Sequence, residues 1–319
     1  MDTLSLVIGR GGLIGSAVAL IAEGKWATVP PISIPWEDKT RSQNALRELL
    51  TKFFSTFKGS YQKWIIFWCA GVGTVRQSSY VIEFEYEYAM FFANLIKNEF
   101  AEFGQTGSLF YSSSVGGIYG GARELPIDES LGACPNSQYG IVKSRVEDLF
   151  GTLVRTTGMR LAVGRIANVY GCGQKHHKQQ GLVTQVCLAT LQRRPIEIYV
   201  PLGTIRNYIH VEDAASTIVA LAEFVSHQPE QSTSTKIICS ESNLTLSSIL
   251  YEVARIFGRR APAVFSSKEP PQNFSLNLTA RSIVHRNLEP PTFKLFPVGV
   301  AEVRNCLLND LLRGQLLQN

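Results

Sequence analysis

A short apolar strand that runs into closely spaced glycines and then into a helix of small residues constrains the fold of this chain more than any other feature. Residues 4–8 predict a buried strand, Gly9, Gly12 and Gly15 follow it, and a helix is predicted over residues 12–23. Glycine lets the backbone turn tightly and approach a ligand, and a helix N-terminus attracts anions. Strand, turn and helix in this order predict a βαβ unit that binds a dinucleotide.

The rest of the first half alternates short apolar runs with amphipathic segments. This alternation is typical of a parallel sheet that is covered by helices on both faces. We therefore predict a doubly wound α/β (Rossmann) fold with a smaller C-terminal lobe. The predicted dinucleotide-binding domain comprises residues 1–167 and 205–235, and the predicted substrate-binding lobe comprises residues 168–204 and 236–319. Within the first domain, strands are expected at residues 64–70, 108–112 and 161–167, and helices at residues 80–103 and 139–156.

Charge and composition exclude several classes of function. The net charge of +5 is spread along a chain with only 18% charged residues, which is too diffuse for nucleic-acid binding but suits an anionic small-molecule substrate. We find no apolar run of membrane-spanning length and no signal peptide, so we expect a cytoplasmic protein. The six cysteines form no C-x-x-C pair. We therefore expect free thiols, with neither a metal site nor a disulfide framework.

The segment that follows the first predicted helix bears on cofactor choice, because the second strand of a dinucleotide-binding unit ends there. A site that prefers NAD offers an acidic residue there, about 20 residues after the glycines, to hold the ribose 2′-hydroxyl. This chain has prolines at positions 30 and 31, and Glu37 and Asp38 come only after Pro35. Arg10 and Arg41 are positioned in sequence to meet a 2′-phosphate instead. NADP(H) is therefore favoured, with NAD(H) as the alternative.

A tyrosine and a lysine four residues apart supply the candidate catalytic pair. Tyr139 and Lys143 lie on one face of the predicted helix. A tyrosine phenol is a poor base at neutral pH, and one cation about 5 Å away stabilises the phenolate by roughly 3 kcal/mol at an effective dielectric of about 20. The strand that ends in Ser112, Ser113 and Ser114 is expected to place a hydroxyl at the same crevice, where it can bind the substrate oxygen.

Taken in order, these segments resemble the extended short-chain dehydrogenase/reductase family, and within it the NAD-dependent epimerase/dehydratase group that modifies nucleotide sugars. The resemblance covers nearly the whole chain. It rests on the glycine turn, Ser112-Ser-Ser-Val-Gly-Gly-Ile-Tyr-Gly120, Tyr139 to Lys143, Gly164-Arg-Ile-Ala-Asn168-Val-Tyr-Gly171 and Arg206-Asn-Tyr-Ile-His-Val-Glu-Asp213.

The resemblance implies a Ser/Tyr/Lys triad that passes a proton to or from a nucleotide sugar while hydride moves to or from the nicotinamide. Ser114 is our choice for the serine, and Ser113 stays open because the connection to Tyr119 is one residue longer than usual. The substrate is expected to contact Ser113, Ser114, Asn168 and Arg206. The cofactor is expected to contact Gly9, Arg10, Gly12, Leu13, Ile14, Gly15, Ala70, Tyr139 and Lys143.

Departures from the family pattern narrow the function. Val115 and Gly116 stand where sugar 4,6-dehydratases carry an Asp-Glu pair, so dehydration is disfavoured. The aromatic helix over residues 84–92 lacks the family's usual asparagine, and with the Tyr139 helix it is expected to form a homodimer interface. We favour a reductase of a nucleotide-linked 4-keto-(6-deoxy)hexose. The alternatives are a C4 epimerase with tightly bound NAD and a catalytically silent sensor of the dinucleotide.

Overall fold

The computed structural model of the chain describes residues 2–71, 79–174, 181–260, 262–265 and 274–314. Strands β1 to β12 span, in order, Thr3–Ile8, Ala27–Thr28, Lys63–Trp68, Gly107–Ser114, Arg160–Ile166, Asn168–Tyr170, Ile196–Ile198, Ile205–His210, Thr233–Ile238, Asn243–Thr245, Ala263–Phe265 and Asn277–Leu278. Helices α1 to α9 span, in order, Leu13–Lys25, Lys39–Phe57, Ser79–Glu99, Val115–Ile118, Gln138–Thr157, Leu182–Gln192, Val211–Ser226, Leu246–Phe257 and Phe296–Leu312. Short 3₁₀ helices span Ala101–Thr106 and Arg286–Leu288.

The main sheet is parallel, with strand order β2, β1, β3, β4, β5 and β9. The chain moves from β1 outward to β2 and then returns to β3 on the other side of β1, so the strand order reverses between β1 and β3. Open α/β sheets bind their ligands at such a reversal, outside the carboxyl ends of the strands. The predicted doubly wound fold is confirmed, and it puts the glycine turn after β1 at this crevice.

Helices cover both faces of the main sheet. Side chains alternate along β3: Trp64, Ile66 and Trp68 pack with α2, α3 and α5, whereas Ile65 and Phe67 pack with α1 and α7. Such a continuous apolar run is stable only when both faces are buried, which is why it predicted a parallel sheet. Across the described ranges, no helix has the length and hydropathy to cross a membrane.

The first half of the chain contains the predicted strands and helices, with ends that differ by a few residues. The helix predicted over residues 80–103, for example, is α3 and ends at Glu99, where a 3₁₀ helix follows. Helix α2 has no counterpart in the prediction. It begins at Lys39 and is capped by Asp38, whose side chain accepts a hydrogen bond from the Arg41 amide at 3.0 Å.

A smaller sheet and a second helical core lie beyond β5. Strand β8 pairs with β10, β12 and β6, and helices α6, α8 and α9 pack together around Val186, Ile249 and Val300. Strand β8 thus belongs to the smaller sheet, although the sequence prediction put it in the dinucleotide-binding domain. Strand β9 completes the main sheet and extends to Ile238, past the predicted boundary at residue 235.

Cys172 and Cys306 form a disulfide whose Cα atoms are 6.0 Å apart. The prediction that all six cysteines are free was therefore wrong for this pair. The two positions are separated by 134 residues, so their spacing carried no signal. The bond attaches α9 to the loop that follows β6. The remaining cysteines are free thiols, at positions 69, 134, 187 and 239.

Candidate functional site

The glycine turn after β1 is built from positions that exclude a side chain. Gly9 has a φ of 92°, and a Cβ there would lie 2.4 Å from the Ala70 amide nitrogen. A Cβ on Gly15 would lie 2.2 Å from the Gly9 carbonyl oxygen. The turn closes through a hydrogen bond from the Gly12 amide to that carbonyl at 3.0 Å. Glycine is therefore required for β1, β3 and α1 to approach each other this closely.

The N-terminus of α1 faces the crevice without a side-chain cap. Gly12 is the N-cap residue and has no side chain to accept from the first-turn amides of Leu13, Ile14 and Gly15. Free amides and the helix dipole at the carboxyl end of a parallel strand fit a pyrophosphate. The Arg10 side chain turns instead to the surface, where it forms an exposed ion pair with Glu23.

The end of β2 offers no acidic side chain to a ribose. Strand β2 ends at Thr28, and the backbone then runs without regular structure to residue 38. The Asp38 carboxylate caps α2 through the Arg41 amide, so it has a structural role. The exposed Glu37 precedes it. Strand β2 itself therefore ends without a carboxylate, and the preference for NADP(H) over NAD(H) stays a prediction.

Tyr139 is brought to Ser114 by close contact between α4 and α5. The Ser114 hydroxyl caps α4 by accepting from the Gly117 amide at 3.1 Å. A Cβ on Gly117 would lie 3.1 Å from Cε1 of Tyr139, and a Cβ on Gly140 would lie 2.1 Å from the Gly117 carbonyl oxygen. The two glycines thus allow the backbones to touch. As a result, the serine and the tyrosine flank the same residue, Gly117.

Lys143 is buried one turn after Tyr139. Its ammonium donates to the Ser112 carbonyl at 3.0 Å and lies 5.7 Å from the centre of the Tyr139 ring. It also forms an ion pair of 2.6 Å with Oε1 of Glu85 on α3. Burial by itself lowers the pKa of Lys143, but the charge of Glu85, with smaller contributions from Tyr111 and Tyr139, raises it well above its ordinary value. The lysine is therefore a permanent cation beneath the tyrosine.

Glu85 was not among the residues predicted for the site. It is 2% exposed and lies in the aromatic helix that departs from the family pattern. The only signal in the sequence was an acidic residue on the apolar face of that helix. Since α3 and α5 are far apart in sequence, its pairing with Lys143 follows from the packing of α3 on α5.

The neighbouring serines have different environments. Ser113 donates to Oε1 of Glu147 at 2.5 Å, and Glu147 in turn forms an ion pair of 2.7 Å with Arg165. The hydroxyl proton of Ser113 is thus used within the protein. Among the residues that the structure describes, Ser114 only accepts a hydrogen bond, from the Gly117 amide, so its own proton is available for a substrate oxygen. This difference favours Ser114 over Ser113 as the triad serine.

Asn168 and Arg206 lie where the main sheet meets the smaller one. Asn168 starts β6 and donates to the Asn207 carbonyl at 3.0 Å. The Arg206 guanidinium donates to the Ile205 and Ser275 carbonyls, both at 2.7 Å, and burial lowers its pKa. Some of the N–H groups of Arg206 are therefore already bonded to the preceding residue and to the segment before β12.

A cluster of possible metal ligands lies apart from the triad. His210, Glu212 and Glu302 each offer a ligand atom, and these atoms lie within 4.8 Å of one another. The ammonium of Lys294 already binds both carboxylates, at 2.7 Å and 2.8 Å, and so supplies a cation to the cluster. That the protein uses no metal ion for its function stays a prediction. The basic segment over residues 175–178 lies outside the described residues.

Comparisons with known proteins assign the chain to one family. The family model for the NAD dependent epimerase/dehydratase family matches residues 5–237. The dTDP-4-dehydro-6-deoxyglucose reductase of Escherichia coli is 24% identical over 245 residues, which is 70% of this chain and 73% of that protein.

Solved structures share the fold over nearly the full chain. The UDP-glucose 4-epimerase of Thermotoga maritima, solved with UDP-glucose, has a TM-score of 0.75 at 17% identity and matches 97% of this chain and 99% of its own. RMD from Pseudomonas aeruginosa, solved with NADPH, has a TM-score of 0.73 at 19% identity and matches 96% and 98%. At these identities the likeness establishes the fold.

Proposed function

Because the chain belongs to the NAD dependent epimerase/dehydratase family, we propose that it reduces a nucleotide-linked 4-keto-6-deoxyhexose with NADPH. The observation that carries the proposal is the end of β2 at Thr28, which bears no carboxylate; the acidic residues that follow are the exposed Glu37 and Asp38, which caps α2. The Escherichia coli relative is a reductase of such a sugar, which supports reduction as the proposed reaction. Val115 and Gly116, in place of a dehydratase Asp-Glu pair, argue against loss of water.

The crevice between β1 and β3 fits the dinucleotide. The amides of Leu13, Ile14 and Gly15 would hold the pyrophosphate, and Gly9 and Ala70 would form the wall that their close approach creates. When bound, the reduced nicotinamide supplies a hydride to the carbonyl carbon of the sugar. Arg10 is placed in the turn to meet a 2′-phosphate if it leaves Glu23.

Tyr139 is the proposed acid. As the carbonyl carbon gains the hydride and its electron pair, the carbonyl oxygen takes the proton from the Tyr139 hydroxyl, and the resulting phenolate is reprotonated from water. Lys143 stabilises that phenolate from 5.7 Å away, measured to the ring centre. Ser114 donates its free hydroxyl proton to the same carbonyl oxygen and orients it.

The sugar diphosphate is proposed to lie against Asn168 and Arg206. An arginine fork suits phosphate oxygens. Because Nη1 and Nη2 of Arg206 already donate to carbonyls, the guanidinium is held in one orientation before substrate arrives. Its remaining donors are then available to the diphosphate without a loss of side-chain freedom on binding.

Replacing Tyr139 with phenylalanine tests the proposal. The variant keeps the ring but loses the proton, so we expect NADPH affinity within a few-fold of wild type and turnover reduced by about 100- to 10,000-fold. The matched control is Tyr251→Phe, since Tyr251 is 67% exposed on α8, a helix that packs with α6 and α9. Unchanged turnover in Tyr139→Phe would eliminate this role. If the variant also kept every cellular activity, the chain would be a dinucleotide sensor instead.

A C4 epimerase with tightly bound NAD is the second candidate, because it uses the same Ser, Tyr and Lys and a UDP-glucose 4-epimerase shares the fold. The two functions differ in net redox change. Denaturing the purified protein and identifying the released cofactor separates them, together with a count of NADPH consumed per sugar. Retained NAD with no net NADPH consumption would favour the epimerase.

A further inference from the structure

The disulfide between Cys172 and Cys306 lies beside the proposed dinucleotide site. Cys172 follows β6 in a Gly-Cys-Gly segment, residues 171–173, and both glycines of this segment have positive φ values, 150° and 93°. Residues with a side chain rarely adopt such a conformation, which glycine reaches without a steric cost. The two glycines thus form a turn from which Cys172 reaches Cys306 on α9.

The Gly-Cys-Gly segment packs against the first residues of two helices. A Cβ on Gly173 would lie 3.9 Å from Cδ1 of Leu13, which is an ordinary van der Waals distance. A Cβ on Gly171 would lie 2.5 Å from Cγ1 of Val211, where α7 begins. Leu13 begins α1, and its amide is one of those proposed to hold the pyrophosphate. The disulfide therefore attaches to α9 a segment that borders the dinucleotide site.

Helix α9 has other attachments close to the disulfide. Gly299 packs on β6 so closely that a Cβ there would lie 2.6 Å from the hydroxyl oxygen of Tyr170. Oε2 of Glu302 lies 3.3 Å from Nε2 of His210 and 2.8 Å from the ammonium of Lys294. These contacts involve no cysteine, so we expect α9 to stay in place when the disulfide is broken. The part that gains freedom is then the Gly-Cys-Gly segment.

Both sulfurs belong to half-buried residues, so a small dithiol can reach the bond. A thiolate of the dithiol attacks the sulfur of one cysteine, the S–S bond breaks, and the other cysteine leaves as a thiolate that takes up a proton. The second thiol of the reagent then attacks the mixed disulfide and releases the first cysteine in the same way. The protein gains two electrons and two protons, and the dithiol is oxidised to a disulfide.

We propose that the Cys172–Cys306 bond is a thiol–disulfide exchange site whose redox state sets the affinity for the dinucleotide. With the bond formed, the segment is held against Leu13 before the dinucleotide arrives. With the bond reduced, the segment must be ordered on binding. Fixing the backbone of one residue lowers an equilibrium constant by a factor of roughly 5 to 30, so we expect reduction to weaken binding by about tenfold. The inference rests on the dinucleotide site of the proposed function and adds a control of that site.

The dissociation constant of NADPH, followed by its fluorescence with and without dithiothreitol, tests the inference. Wild type should bind about tenfold more weakly with dithiothreitol. Cys306→Ser removes the bond from the side of α9, so it should bind like reduced wild type and ignore dithiothreitol. The matched control is Cys134→Ser, which removes a half-buried free thiol and should respond as wild type does. An unchanged affinity in wild type, or a response that persists in Cys306→Ser, would overturn the inference.

Methyl NMR of the full-length protein locates the change without any ligand. The Leu13 δ1 resonance, assigned by its loss in Leu13→Met, should shift when dithiothreitol is added, whereas the methyl resonances of Val300 on α9 should not. A Leu13 resonance that stays in place, or an equal change at Val300, would overturn the inference. Global unfolding on reduction would do the same, because the bond would then serve stability alone.

The two measurements also separate the inference from the proposed reaction. Neither uses a sugar nucleotide, so NADPH affinity that depends on the disulfide would support the inference even if no keto-sugar were reduced. Conversely, a keto-sugar reductase whose affinity for NADPH is the same in both redox states would keep the proposed function and overturn the inference.

Discussion

Replacing Gly140 with alanine tests whether the contact between α4 and α5 sets the catalytic geometry. The new Cβ would lie 2.1 Å from the Gly117 carbonyl oxygen and 2.9 Å from Cβ of Pro135. Both neighbours are fixed, one by the backbone and one by a proline ring. The helix must therefore move by about 1 Å to reach normal contact, and a displacement of that size is known to cost about 100-fold in rate.

The expected change in stability is smaller than the change in rate. Overpacking costs about 1–3 kcal/mol, whereas alanine gains about 1 kcal/mol over glycine inside a helix. The net loss in the free energy of unfolding is then at most about 2 kcal/mol. A 100-fold fall in rate corresponds to about 2.7 kcal/mol in the activation free energy. The variant should therefore fold and bind cofactor while it turns over slowly.

Turnover is measured as the loss of NADPH absorbance in the presence of a keto-sugar nucleotide. The stability of each variant is measured by denaturant unfolding. Gly151→Ala is the matched control on the same helix, because its Cβ would meet only Nη1 of Arg155 at 3.5 Å. That variant should keep its rate and gain up to about 1 kcal/mol of stability. If Gly140→Ala turned over within about threefold of wild type, the argument from displacement would be refuted.

Two further predictions concern the disulfide and the ion pair between the buried Asp128 and Arg281. The Cys172–Cys306 bond closes 134 residues of sequence, so reduction should lower the free energy of unfolding by about 2–5 kcal/mol, and Cys172→Ser should unfold identically with and without reductant. The hydrogen bond from the Ser130 hydroxyl and the Arg281 guanidinium lower the pKa of Asp128. The ionised Asp128 carboxylate therefore adds to the free energy of unfolding above its unfolded-state pKa of about 3.9. This stabilisation is lost as the pH falls through its lower pKa in the folded state. Asp128→Asn should thus be less stable than wild type at neutral pH, with the difference in unfolding free energy vanishing in strong acid; a difference that grows on acidification would contradict the sign.

The glycine turn, the main sheet and the Tyr139 helix could be predicted because each is a local pattern. Strand, glycine and helix follow one another within a few residues around Gly9, and Tyr139 and Lys143 are one helical turn apart. Helix α2 was not predicted, although Asp38 is a normal N-cap and the helix buries Leu46, Leu49, Leu50, Phe53, Phe54 and Phe57 at helical spacing.

The interactions that the sequence could not reveal all join distant segments. Glu85 meets Lys143 only because α3 packs on α5, and Cys172 meets Cys306 only because α9 returns to the loop after β6. Arg206 was predicted to face phosphate, which stays a prediction, and its guanidinium binds the Ser275 carbonyl. Side-chain partners of this kind depend on tertiary packing, which carries no periodic signal in one sequence.

Transfer of a labelled hydride tests the central claim most directly. The protein is mixed with NADPH that carries deuterium on the transferred position of the nicotinamide, and with a dTDP-linked 4-keto-6-deoxyhexose. The account predicts one NADP⁺ formed per sugar, deuterium on the former carbonyl carbon of the product, and neither result in Tyr139→Phe. A sugar whose configuration changes without label and without NADPH consumption would contradict it.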